Sequence, residues 1–112
     1  MTSRTGGIDL NAIKDRLSAG TGGYEAAHES PGLELGVYVL VAPEPDHQQP
    51  HADDEIYVVL EGHGSLEIDG TSVPLSEGQA VFVPAGADHC FIGYENLSVL
   101  VVFARPHEAP AS

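Results

Sequence analysis

Apolar residues recur along this chain in two rhythms, and the change between them falls near residue 33. In the first stretch Leu10, Ile13 and Leu17 repeat at helical spacing, so one side of a short helix of about two to three turns is apolar. Asp9 stands where an N-cap belongs, and Gly20 offers a stop. So short a helix is unstable alone, and it is expected to lay its stripe on something larger. The run Gly20-Thr21-Gly22-Gly23 reads as a hinge or loop.

From Leu33 onward the rhythm is that of strands. Residues 33–42 are Val-rich and end at Pro43-Glu44-Pro45-Asp46. A second strand is expected over 56–61, closed by Gly62. Residues 65–68 and 71–75 flank Asp69-Gly70, the strongest hairpin signal in the chain. Further strands are expected over 79–83, 89–92 and 98–104, while Pro106 and Pro110 oppose any continuation. Short strands with Gly and Pro turns, and no alternating helices, predict an all-β sandwich or barrel. A closed barrel or jelly roll also removes the exposed edges that a small all-β chain would otherwise present. The expected organisation is an N-terminal helix and arm over 1–30, a barrel over 31–106 and a flexible tail over 107–112.

A chain of 112 residues is one domain, and no stretch approaches the length of an apolar membrane span. The N-terminus has no apolar core of a signal peptide, and the single cysteine, Cys90, excludes an internal disulfide. The expected location is cytoplasmic. Four basic residues against seventeen acidic ones leave a formal charge of -13. That surface repels phosphate backbones and anionic membranes, so nucleic acid and lipid are not expected partners.

The chemistry concentrates in Gln49-Pro50-His51-Ala52-Asp53-Asp54-Glu55. In an extended segment alternate residues share a face, so Gln49, His51, Asp53, Glu55 and Tyr57 have one parity. A carboxylate and an imidazole turned into a barrel must be paired or bound to metal, because burying them bare is costly. A divalent cation resolves that cost, and His89, far along the chain, supplies a second imidazole.

Two spaced motifs then carry a resemblance. Gly36, Gln49-Pro50-His51, Glu55 and Gly62 follow the first motif of the cupins, with Gln49 at the first position of the His-x-His pair. Gly78, Pro84-Ala85-Gly86 and His89 follow the second, with Gly93 where an Asn is usual. Over residues 33–104 the chain resembles a small single-domain cupin, which implies a double-stranded β-helix. The resemblance implies Gln49, His51, Glu55 and His89 as ligands of one divalent transition metal: Fe, Mn, Ni, Co or Zn. Gln49 departs from the usual His and is a weaker, neutral oxygen donor. Two imidazoles and a carboxylate also approach the donor set of non-haem iron oxygenases.

The remaining residues sort by parity and surroundings. Tyr57 and Glu55 are the candidates for proton transfer, although core filling is the first reading of both Tyr57 and Tyr38. Tyr38 has the opposite parity from Val37 and Val39, so one set packs inward and the other is covered or exposed. Phe82, Phe91 and Phe103 read as core or pocket wall, Cys90 as a small hydrophobe aimed away from the metal, Asp53 as a rim residue and His47 as a loop histidine. The expected function is that of a metal-binding cupin, a dioxygenase-like enzyme acting on a small organic molecule. The alternatives are a cupin isomerase or lyase and a non-enzymatic ligand-binding or metal-binding barrel. A homodimer is expected, paired through the N-terminal segment.

Overall fold

The computed structural model describes residues 6–42 and 52–104. Its helix α1 (Leu10–Ala19) begins where Asp9 accepts the Ala12 N–H at 3.0 Å. It ends where the Gly20 and Gly22 N–H groups both reach the Leu17 carbonyl. Leu10, Ile13 and Leu17 face Val37 and Val39, as the spacing predicts. Lys14 reaches Glu61 at 3.3 Å and Arg16 pairs with Glu25, so charge as well as apolar burial fastens the helix down.

The strands are β1 (Gly23–Ser30), β2 (Leu33–Val41), β3 (Asp54–Glu61), β4 (His63–Ile68), β5 (Thr71–Ser76), β6 (Ala80–Val83), β7 (His89–Ile92) and β8 (Asn96–Ala104). They form a five-stranded sheet, β1-β2-β8-β3-β6, and a three-stranded sheet, β5-β4-β7, with antiparallel pairing throughout. This is the all-β double-stranded β-helix, or jelly roll, with a short N-terminal helix. The core lies between the sheets, where Tyr57, Val59, Val99 and Val101 meet Leu66, Leu75 and Phe91. A second, smaller core lies under α1, on the other side of the larger sheet.

Two turns fix the register. Asp69 and Gly70 both have positive φ, 46° and 85°, which closes β4 and β5 as a two-residue type I′ hairpin. Gly62 has φ 90°, and a Cβ there would collide with the Asn96 carbonyl oxygen. Only glycine fits between β3 and β4 so close to the start of β8.

Some features differ from the sequence reading. Residues 23–30, expected as part of an arm, form β1 and pair with β2 along the sheet edge. Its residues, Gly-Tyr-Glu-Ala-Ala-His-Glu-Ser, lack the β-branched side chains that mark a strand, so partnership with β2 decides the conformation. Phe82 is not core or pocket wall: it is 54% exposed, because β6 turns it to the outer side of the sheet. Phe91 is buried, and Phe103 packs half-buried against the same core. Val37 and Val39 pack under α1, whereas Tyr38 packs toward the space between the sheets. Residues 105–112, which include the expected tail, lie outside the described residues, and no helix among those described is long and apolar enough to cross a membrane.

Candidate metal centre

Strand alternation turns Glu55, Tyr57 and Val59 inward and Asp54 and Ile56 outward, as their parity predicts. Glu55 is 2% exposed and Tyr57 1%. His89 opens β7, in the opposite sheet, and is likewise buried. The loop before it is held at three points. Ala87 N–H closes a turn onto the Pro84 carbonyl, Ala85 N–H donates to Asp54 Oδ1 at 2.9 Å, and Asp88 N–H donates to Asp69 Oδ1 at 3.0 Å. The Asp69 N–H returns a bond to the Asp88 carbonyl at 2.8 Å. His89 is thus positioned by both the start of β3 and the β4–β5 hairpin.

The His89 ring is committed on one side. Nδ1 lies 2.9 Å from the Ala87 carbonyl oxygen, which can only accept, so Nδ1 carries a proton. In the neutral ring Nε2 then presents a lone pair, and the Tyr57 hydroxyl donates to it at 3.1 Å. The same Nε2 lies 2.9 Å from Glu55 Oε1. At that separation a lone pair and a carboxylate oxygen repel unless something positive lies with them. Neither Glu55 oxygen accepts a well-directed hydrogen bond among the described residues, although both are shut away from solvent. The pair is therefore complete only with an added proton, as imidazolium, or with a cation.

That arrangement fits a metal. Glu55 Oε1 and His89 Nε2 are a hard and a borderline donor facing one point, and the Nδ1–H bond to Ala87 fixes the tautomer that ligation through Nε2 requires. Gln49 and His51, the other two expected ligands, lie outside the described residues, as does His47. Among the described residues no three His, Cys, Asp or Glu side chains gather closely enough to hold a metal by themselves.

The structure brings Tyr57 to the pair and keeps other candidates away. Its ring stands edge-on to Phe91, with centroids 4.9 Å apart, and its hydroxyl touches His89. Tyr57 therefore fills core and reaches the site with the same side chain. Cys90, half-buried, alternates with buried His89 and Phe91 and so faces the other way. Asp53 is half-buried in the bend before β3. Sequence reasoning missed Asp54 and Asp69 as anchors of the His89 loop. For Asp69 a signal existed: the aspartate of an Asp-Gly turn has a short acceptor free to bind a neighbouring backbone. A separate cleft of about 670 Å³ is lined by Thr21, Tyr38, Leu40, Val41 and Tyr94, with neither Glu55 nor His89 in its wall.

Comparisons with known proteins agree with this architecture. Residues 37–103 match the family described as the cupin domain. Over 98 residues the chain is 35% identical to an uncharacterized protein of Streptomyces coelicolor, covering 87% of this chain and 93% of that one. The crystal structure of TT1209 from Thermus thermophilus superimposes with a TM-score of 0.74 at 25% identity, covering 87% of this chain and 94% of that chain. A putative mannose-6-phosphate isomerase from Ralstonia eutropha, at 18% identity and a TM-score of 0.65 over 74% of this chain and 83% of its own, shares the fold.

Proposed function

The chain belongs to the cupin family, and from that premise we propose that it is a metal-dependent enzyme acting on a small organic molecule. The observation that carries the reading is the buried Glu55 Oε1–His89 Nε2 approach of 2.9 Å, which calls for a positive charge between donors already oriented for it. Glu55 and His89 would hold one divalent transition metal together with Gln49 and His51. The metal, when bound, supplies Lewis acidity and, if iron, a place to engage dioxygen.

The chain's own residues then divide the work. The Ala87 carbonyl keeps the His89 ring turned, and Asp54 and Asp69 hold the loop that carries it. Tyr57 offers a phenol within hydrogen-bond reach of His89 Nε2, in a wall formed with Phe91 and Val59. The wall favours a compact, partly apolar substrate. The donor set puts a dioxygenase-like oxidation first. An isomerase or lyase is the second reading, favoured by Tyr57, whose phenol is a proton carrier at the site. The single thiol of Cys90 suits the reducing cytoplasm, where this reading places the protein.

Elemental analysis of protein purified without a metal-affinity tag tests the proposal, with Glu55→Ala and His89→Ala measured alongside. The expected result is about one metal per chain, lost in both variants. Iron, together with oxygen uptake on small enolisable acids or diketones, selects the oxygenase. Zinc, manganese or nickel without oxygen uptake selects isomerase or lyase chemistry. Parent protein that takes up no metal even after reconstitution would leave a ligand-binding barrel as the better account.

A further inference from the structure

Gly36, within β2, is not among the glycines with positive φ, so its backbone does not call for glycine. Space does: a Cβ there would run into the ring and hydroxyl of Tyr24. Tyr24 is paired with Tyr38 across β1 and β2, and its ring lies diagonally over Gly36. The Tyr24 hydroxyl donates to Glu34 Oε2 at 2.7 Å, which pins the tip of the ring. Gly36 is buried as a result, while Tyr24 remains 40% exposed.

The ring stands at the end of a row that leads to the candidate site. Glu34, Phe103 and Glu55 are side by side on β2, β8 and β3, on the face turned toward the smaller sheet. Two strand spacings, about 10 Å, separate the backbone of Glu34 from that of Glu55. Half-buried Phe103 is the floor between them, and Tyr24 stands edge-on to it with centroids 6.4 Å apart. Tyr24 also meets Tyr38 at 6.5 Å, and Tyr38 meets Phe91, the neighbour of Tyr57, at 6.0 Å. Because β1 is the edge strand, Tyr24 is the outermost ring of this wall.

We propose that Tyr24 sets the length of the molecule that the site at Glu55 and His89 accepts; the inference rests on the metal-site reading of that pair. A ligand held by its oxygens at Glu55 and His89 and extended across Phe103 meets the Tyr24 ring where the floor ends. There the phenol and the Glu34 carboxylate, which has lone pairs for more than one hydrogen bond, present a polar stop. The class of substrate that fits is a short chain with metal-binding oxygens at one end and a small or hydroxyl-bearing group at the other. A long alkyl chain is excluded. A side chain on residue 36 would cover the same spot as part of β2. A ring lent by the edge strand and held by one hydrogen bond at its tip is a wall that can be altered without disturbing β2.

Isothermal titration of the zinc-loaded full chain with acetohydroxamic, butyrohydroxamic, hexanohydroxamic and octanohydroxamic acid, which chelate through two oxygens, reads the limit. Tyr24→Ala is expected to bind octanohydroxamic acid roughly tenfold tighter than the parent, the gain from about two further buried methylenes, with acetohydroxamic acid unchanged. Gly36→Ala, whose methyl group displaces the ring from the neighbouring strand, gives the same change. Circular dichroism confirms that each variant is folded. A second measurement needs no metal: diethyl pyrocarbonate modifies His89, followed by mass spectrometry, several-fold faster in both variants than in the parent, with exposed His63 as the reference. Zinc-loaded variants that bind octanohydroxamic acid no better than the parent overturn the inference. If the protein takes up no zinc, the metal-site reading fails separately, and unchanged His89 half-times then overturn this inference as well.

Discussion

Glu55 on β3 and His89 on β7 belong to different sheets, yet Oε1 of one lies 2.9 Å from Nε2 of the other, with both side chains 1% exposed. The contact joins the two layers of the barrel at a point where apolar side chains would have packed without electrostatic cost. A buried acid and base set against each other are expensive to keep, and this is the pair on which the proposed metal site rests.

Metal binding at this pair should compete with protons. Ligation through Nε2 requires the neutral imidazole, so a divalent ion and a proton exclude each other at that nitrogen. Apparent zinc affinity, measured by competition with a chelator, is expected to weaken as the pH falls. Chelating the metal at fixed pH should lower the unfolding temperature by an amount that grows with the affinity. Affinity indifferent to pH would mean that the ion binds elsewhere.

Asp69 has two roles at once, holding the positive-φ turn position and accepting from Asp88 N–H. Replacing it by glycine retains the turn and the backbone bond to Asp88 but removes the side-chain anchor. Asp69→Gly should therefore cost about 1 kcal/mol in urea denaturation. It should also weaken metal binding by roughly tenfold to a hundredfold, as loss of an outer support does in metal sites. Isothermal titration of the metal-free protein measures the second effect separately from the first.

Gly62→Ala is expected to be far more damaging than its size suggests. The methyl group meets the Asn96 carbonyl, and the backbone is at φ 90°. A loss of at least about 3 kcal/mol is expected, since strain and collision add. Thermal denaturation checks this, with Gly6→Ala, at a position open on all sides, as the silent control.

The Asp9 cap offers a milder test. Asp9→Ala removes the acceptor for Ala12 N–H and should destabilise by about 1 kcal/mol. Hydrogen exchange should show the loss concentrated in α1, because the barrel core has its own cluster of contacts.

Much of this was legible in the chain itself, for identifiable reasons. Asp69-Gly70 specified its hairpin because few residue pairs tolerate two positive φ angles. The parity of Glu55, Tyr57 and Val59 specified their common face because strand geometry permits no other. Helix α1 was visible in the spacing of Leu10, Ile13 and Leu17, with its cap residue in place. What was hidden depended on partners distant in sequence. Strand β1 has no strand-forming composition and follows from its pairing with β2. Phe82 reads as a core aromatic until the register of β6 against β3 turns it outward. Asp54 gave no sign that it would hold the loop in front of His89.

The ion pairs that tie α1 to the strands have a kinetic consequence. Lys14 and Arg16 are both engaged by acids, Glu61 and Glu25, so they project little attraction into solvent. An anionic molecule diffusing toward the buried pair meets a repulsive field until it is close, and added salt screens that field within about 10 Å at 0.1 M. Capture of such an anion should therefore quicken with rising ionic strength, opposite to an enzyme that steers its substrate. Stopped-flow traces taken with an anionic and a neutral ligand of matched shape would show the acceleration in the first alone.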